Sequence, residues 1–186
     1  EEKGQLTGLK TENGEIIPCT AAVFAIGHSA RDTFEMLHHM GISMEPKPFA
    51  MGVRIEHKQS MVNRTQYGCE DPVLPPADYK LVKHLADSTV YTFCMCPGGY
   101  VVAAASEEGG VVTNGMSYAD REGENANAAL LVSVEPEDFP YEGTLGGVLW
   151  QEEIERRAFE LTHSYRAPAQ KVGDFLAGIP STGPGS

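Results

Sequence analysis

The sequence predicts an α+β fold, a strand-rich mixed or antiparallel sheet with a few helices. Three observations carry that expectation. Phe49 to His57 alternates, with Phe49, Met51, Val53 and Ile55 on one side and Gly52, Arg54 and Glu56 on the other, the period of a half-buried strand. The strand candidates are joined mostly by short turns, among them Asn13-Gly14 and Pro97-Gly98-Gly99, rather than by long helical crossovers. Only residues 151–163 read as a clear helix, with Ile154, Ala158 and Leu161 as its apolar stripe.

Taken in order, residues 5–17 read as a hairpin, because Asn-Gly favours positive φ at both turn positions. Ala21 to Ile26 is a continuous apolar run, the pattern of a strand buried on both faces, and it stops at Gly27. A helix follows, with Ser29 and Asp32 at the spacing of a capping box, Phe34, Leu37 and Met40 as its stripe, and Gly41 as its stop. Met44 to Pro48 is a linker, since two prolines disfavour regular structure. After the strand at 49–57, residues 68–79 read as a loop rich in Pro, Asp and Gly.

Tyr91 to Cys96 reads as a strand and Tyr100 to Ala105 as its return across the Pro97-Gly98-Gly99 turn. Val111 to Thr113 and Ala129 to Val134 are further strand candidates with a polar loop between them. In the helix at 151–163, Glu152 with Arg156 and Glu153 with Arg157 are favourable i,i+4 pairs, and residues 172–177 form a short second helix.

A length of 186 residues suits one domain, or one domain and a piece of another, and 41% hydrophobic residues place the chain among globular proteins. The formal net charge of -12 repels phosphate backbones and anionic lipid headgroups, which argues against nucleic acid and membrane surfaces as partners. The first four residues are polar and no stretch is long and apolar enough to span a bilayer. The chain starts without Met, which points to processing or to a piece of something longer. Cys19, Cys69, Cys94 and Cys96 do not make a secreted disulfide framework, so a reducing cytoplasm is the simpler location.

Four places carry candidate chemistry. Gly27, His28 and Ser29 lie at a strand-to-helix junction, where a glycine allows close approach and a helix N-terminus suits a phosphate or ribose; an ordinary tight turn reads the same way. Cys94 and Cys96 share one strand face, as a redox pair, a flavin contact, soft-metal ligands or simply two small buried hydrophobes. No histidine or third cysteine stands at a zinc spacing, so no metal site is assigned. Thr113 to Tyr118, followed by Arg121 and by Asn125-Ala126-Asn127, forms a polar loop of the kind that lines ligand sites, or else a solvated turn. Arg54 could grip an anion bidentately, or merely pair with a carboxylate such as Glu56. No G-x-G-x-x-G follows a strand, so the standard dinucleotide cradle is absent from this sequence.

Several of these segments together resemble the uncharacterised FAD-dependent dehydrogenases, also described as NAD(FAD)-utilizing dehydrogenases. They are Ala25 to Asp32, Lys47 to His57, Tyr91 to Gly99, Thr113 to Tyr118, Asn125 to Leu130, Ala167 to Gln170 and Asp174 to Leu176, in that order and over most of the chain. The family's N-terminal G-x-G-x-x-G and its late Gly-rich segment have no counterpart here, so the resemblance is to the family's interior.

The resemblance implies a flavoprotein with a two-dinucleotide-binding-domain architecture. Residues 1–44 would be part of the FAD-binding α/β domain, residues 45–180 the substrate or cap domain, and residues 181–186 a flexible tail. Gly27, His28, Ser29 and Arg31 would lie by the FAD. Pro97, Gly98, Gly99, Asn114 and Met116 would face the flavin from the cap side. Cys94, Cys96 and Arg54 would line the substrate side as catalytic residues. The activity implied is that of an oxidoreductase moving hydride to or from FAD, with NAD(P) as a candidate second cofactor and a small molecule as substrate. The partners implied are the remaining N- and C-terminal parts of the same protein, and a homodimer is a further expectation, through apolar surface that the missing parts would otherwise cover. Two other classes remain open: a stand-alone α+β binding module, and a thiol-redox protein using Cys94 and Cys96.

Overall fold

The computed structural model describes residues 5–69 and 73–183. The chain falls into two compact units, Glu1–Gly41 and Ile42–Ser186. Residues 70–72 of the expected loop and 184–186 of the expected tail lie outside the described residues.

In the first unit, β1 (Gly8–Lys10) pairs antiparallel with β2 (Ile16–Pro18). The turn between them differs from the expected one. Gly14 takes the left-handed φ of 88°, but Asn13 does not; its Oδ1 instead accepts the Glu15 amide at 3.2 Å, and the Thr11 amide donates to Glu15 O at 2.9 Å. An Asx side chain thus does locally what a second positive φ would have done.

The apolar run Ala21–Ile26 is not a strand, which corrects the sequence reading. A strand needs a neighbour to take its amides and carbonyls, and among the described residues none pairs with this run. It is correspondingly open, with Val23 93% exposed. Helix α1 (Arg31–His39) does follow, but Ala30 is its N-cap and no side chain caps it, so the Ser29 and Asp32 capping box is not formed. Asp32 Oδ1 accepts the adjacent Thr33 amide instead, at 2.7 Å. The expected stop holds: Gly41 turns left-handed with φ 74° and its amide reaches His38 O at 3.0 Å.

The second unit is built on a four-stranded antiparallel sheet. Its strands are β3 (Phe49–Lys58), β4 (Val82–His84), β5 (Thr89–Cys96) and β8 (Asn125–Val134), in the order β3-β8-β5-β4. Central β8 is longer than the sequence suggested, because Asn125 to Asn127 belong to it rather than to a loop. Its ladder with β3 is unbroken from Phe49↔Val134 to Lys58↔Asn125. Small residues explain how closely the neighbours pack, since Ala126 and Ala128 are fully buried.

The alternation of β3 survives, but its two faces are covered differently. At its far end, α2 (Gln59–Tyr67) lies over Ala126 through Val62, joined by Ala77, Tyr79 and Met95. At its near end, Phe49 stacks with Phe139 and Trp150, the latter from α3 (Gly146–Thr162). Val53, between the two clusters, stays 67% exposed although the pattern placed it on the apolar side.

The other face of the sheet carries a second, two-stranded sheet, β6 (Gly99–Ala103) with β7 (Thr113–Ser117). This corrects two expectations. The strand after Pro97-Gly98-Gly99 does not return along β5, and Asn114 to Ser117 is strand rather than loop. The α3 helix begins five residues earlier than its apolar stripe suggested and carries the Glu153–Arg157 ion pair. Helix α4 (Val172–Ala177) matches expectation, and Ser181 Oγ ties the following chain back to Asp174 Oδ2 at 2.6 Å. No helix among the described residues is long and apolar enough to cross a membrane.

Candidate functional site

The site grows from a fault in β5. Phe93 pairs with Ala129 and Cys96 with Asn127, so three residue steps on β5 span two on β8. The extra residue makes a β-bulge, and Cys94 takes the left-handed φ of 44° within it. Bulges re-aim side chains and break alternation. The expectation that strand geometry puts Cys94 and Cys96 on one face therefore fails: Phe93 and Cys96 hold the same-face positions opposite Ala129 and Asn127. Cys94 is exposed, Cys96 is half-buried, and both thiols are free.

Arg54 of β3 closes this bulge from across β8. Its Nη2 donates to Cys94 O at 2.9 Å and approaches Cys96 Sγ at 3.7 Å, while its Nε donates to Asn127 Oδ1 at 2.9 Å. The Cys96 thiol in turn donates to Cys94 O at 3.3 Å. Glu56 does not pair with Arg54; its Oε1 accepts the Asn125 amide group instead. The guanidinium is thus half-buried with neutral partners only, and a hydrogen bond from an ion is stronger than a neutral one. Asn127 is fully buried and its Nδ2 has no acceptor.

Strand β7 lies over this cluster, with Gly115 facing it. A Cβ there would sit 2.1 Å from Arg54 Nη2 and 2.3 Å from Asn127 Oδ1, so only glycine fits. The outer side of the same hairpin presents Tyr100, Asn114, Met116 and Tyr118 to solvent. The Tyr100 and Tyr118 rings stand edge to face at 6.1 Å, and Tyr118 is 61% exposed. Asn114 and Met116, singled out from sequence, share this face. The strand alternation of Asn114, Met116 and Tyr118 would have revealed it, had the segment been read as strand.

Pro97, Gly98 and Gly99 are buried, and protein groups fill their surroundings. Gln59 Oε1 accepts the Gly98 amide at 2.8 Å, Ser117 Oγ donates to Pro97 O at 2.7 Å, and Gly98 O accepts the Gly123 amide at 3.1 Å. A Cβ on Gly98 would lie 1.8 Å from Arg121 O. Gln59 went unnoticed in the sequence because the polar stretch Gln59–Tyr67 has little apolar periodicity; its one terminator signal was Gly68, which caps α2 with φ 74°.

Beside the cluster, His57 packs on Tyr79 with ring centroids 5.4 Å apart. Burial lowers the His57 pKa, opposed by the Glu56 carboxylate, and the ring's Nδ1 is buried without a partner. Burial likewise raises the Tyr79 pKa, opposed by the charge of Arg54.

In the first unit, Gly27 has φ 75° with open space where a side chain would be, and His28 and Ser29 are exposed. Arg31 is buried at the start of α1. No group of three His, Cys, Asp or Glu side chains suited to a metal ion occurs among the described residues.

The family described as "FAD-dependent protein, C-terminal domain-like" matches residues 48–186, the whole of the sheet, the bulge and the helices that follow. The chain belongs to that family. A curated relative from Clostridium beijerinckii (strain ATCC 51743 / NCIMB 8052), described as an uncharacterized protein, is 53% identical over 175 residues, covering 91% of this chain. The match takes in only 33% of the relative, so the chain spans about a third of its length. The exposed Tyr100, Met116 and Tyr118 side chains make an aromatic and polarizable face. The Arg54 guanidinium beneath β7 carries positive charge, with its Nε and Nη2 engaged by Asn127 Oδ1 and Cys94 O.

Proposed function

We propose that this chain is part of a longer FAD-dependent oxidoreductase, a dehydrogenase-type flavoprotein, and that it supplies the cap over the flavin rather than the cradle for its phosphates. The observation that carries this reading is the exposed Tyr100, Met116 and Tyr118 face on a domain of a FAD-dependent family. A large aromatic and sulfur-bearing surface open to solvent is what a planar ring would cover. FAD, when bound, would accept or donate a hydride at its ring.

The chain's own residues would do three things. Tyr100, Met116 and Tyr118 would exclude water from one side of the ring. Asn114 would offer an amide to its polar edge. Arg54, held by Asn127 and by Cys94 O, would set positive charge behind the hairpin. Taken by itself, the first unit offers Gly27, His28, Ser29 and Arg31 as proposed cofactor contacts, with open space beside Gly27 for close backbone approach. The remaining parts of the cofactor site, NAD(P) use and a small-molecule substrate belong to the longer protein.

The test is to express this sequence within a protein of its relative's length and record the visible spectrum. A flavin spectrum is expected, diminished in Tyr118→Ala with Met116→Ala. A colourless protein that takes up no added FAD would sink the reading.

A further inference from the structure

Strand β3 is ten residues long and stands at the edge of its sheet, paired with β8 on one side only. Long edges are usually blunted by a bulge, an inward charge, a proline or a lysine. Here the ladder with β8 is unbroken, and Pro48 and Lys58 stand at the ends of the run rather than within it. The charged side chains are engaged inside the unit: Arg54 by Asn127 and Cys94 O, Glu56 by Asn125, and Lys58 by Glu124.

The direction of each backbone group on β3 follows from its neighbours. A Cβ on Gly52 would lie 1.9 Å from Leu130 O, so that carbonyl points at β3. Thr92, opposite Leu130 on β5, sends its amide away from β8, to Leu81 O at 2.9 Å. Leu130 therefore exchanges its hydrogen bonds with Val53, its partner in β3. Antiparallel pairs alternate, so the odd-numbered residues of 49–57 bond inward, while Ala50, Gly52, Arg54 and Glu56 turn their N–H and C=O outward. No backbone hydrogen bond among the described residues reaches these outward groups.

We infer that a second copy of this chain pairs with β3 edge to edge, antiparallel, about a two-fold axis at Val53. Centring on Val53 uses the whole run from Phe49 to His57. Gly52 then exchanges both backbone hydrogen bonds with the partner's Arg54, and Ala50 with the partner's Glu56, so all four outward residues of each copy are satisfied. On the apolar side, Met51 meets the partner's Ile55 and Val53 meets the partner's Val53, and such cross-strand pairs stabilise a sheet. This covers Val53, which is 67% exposed in the single chain. A centre at Arg54 would set two guanidinium-bearing residues opposite each other, and one at Gly52 would place Pro48, which has no N–H, opposite Glu56. The product is one continuous sheet, four strands from each copy, with the strand that carries Arg54 at the seam. The inference does not depend on the flavin reading, since it uses only the strand edge.

The test is sedimentation of the 186-residue chain over a concentration series, with cysteine cross-linking to read the register. The native chain is expected to move from monomer to dimer mass as concentration rises. Val53→Lys sets two like charges about 4.5 Å apart between Cα atoms and is expected to raise the dimer dissociation constant about tenfold or more. In a Cys19→Ser, Cys69→Ser background, Val53→Cys is expected to give a covalent dimer linked through position 53, mapped by mass spectrometry after mild oxidation. Met51→Cys and Ile55→Cys are each expected to stay unlinked alone, since each lies roughly 13 Å from its own copy, and to link to one another when mixed. Circular dichroism on each variant separates loss of pairing from loss of fold. The inference is overturned if the native chain sediments as a monomer throughout, if folded Val53→Lys dimerises as the native chain does, or if the links follow another register. It also falls if the link at position 53 forms in the 186-residue chain but not within a protein of its relative's length, because the edge then belongs to the remainder of that protein.

Discussion

Gly115 lies against Arg54 so closely that a single methyl group on it would fall 2.1 Å from Nη2. Arg54 cannot swing aside without giving up its bonds to Asn127 Oδ1 and Cys94 O, and Asn127 is itself fully buried. Gly115→Ala is therefore expected to destabilise the fold by about 1–3 kcal/mol, the range for overpacking a filled interior. Urea unfolding followed by circular dichroism measures it, and an unchanged midpoint would mean that the hairpin sits more loosely.

Gln59 should matter as much as any apolar core residue. Its amide bonds Gly98 N at 2.8 Å, Ala77 O at 2.9 Å and Asn63 Oδ1 at 2.8 Å. Gln59→Leu preserves the bulk but strands a buried donor and a buried acceptor, at about 2–4 kcal/mol in total. The same unfolding experiment checks it, and Gln59→Glu should cost less at acidic pH than at neutral pH, because a protonated carboxyl restores one donor.

Cys94 offers a test of backbone strain separate from its chemistry. With φ at 44°, any side chain at this position crowds its own carbonyl, and glycine does not. Cys94→Gly is expected to be more stable than Cys94→Ala by about 1 kcal/mol, the reverse of the order at an ordinary strand position. Equal stabilities would show that the bulge relaxes once the thiol is gone.

Stability should also depend on pH through His57. Its pKa in the folded protein lies below the ordinary value of 6.5 because burial disfavours the imidazolium. The unfolded chain thus binds the proton first as pH falls, and stability rises with pH wherever the unfolded state holds more protons. Stability is expected to be fully present above about pH 6.5, to decline as pH drops from there toward the folded-state pKa, and to lose no more from this group below that. Comparing pH series of thermal melts for the native chain and His57→Gln isolates the effect. Parallel curves would assign the dependence to other groups.

The α+β class, the β1–β2 hairpin, the start of β3 and helix α4 were legible because each rests on local signals: alternation, Asn-Gly and glycine stops. The errors share one physical origin, which is that pairing partners are not local. Ala21 to Ile26 has the composition of a buried strand, but no described strand lies beside it. Tyr100 to Ala103 is a strand, but it pairs with β7 rather than with β5. Asn125 to Asn127 reads as loop by composition, yet the ladder with β3 carries the strand through it. At the site, Arg54, Cys94, Cys96, Asn114 and Met116 could be picked out individually. That Arg54 grips Cys94 O could not, because the bulge that turns that carbonyl toward it leaves no mark in the residue pattern.

The unbroken ladder between β3 and β8 has a consequence for how the chain acquires its shape. The nearest paired positions, Lys58 and Asn125, are separated by about 70 residues, and closing so long a loop makes sheet formation slow compared with helices or hairpins. At a synthesis rate of roughly 5–20 residues per second, β3 leaves the ribosome several seconds before any of β8 exists. Through that interval Phe49, Met51, Val53 and Ile55 travel without their partner, while α2 and the β6–β7 hairpin, being local, can already form. The strand that carries Arg54 is made early and is seated only when β8 arrives.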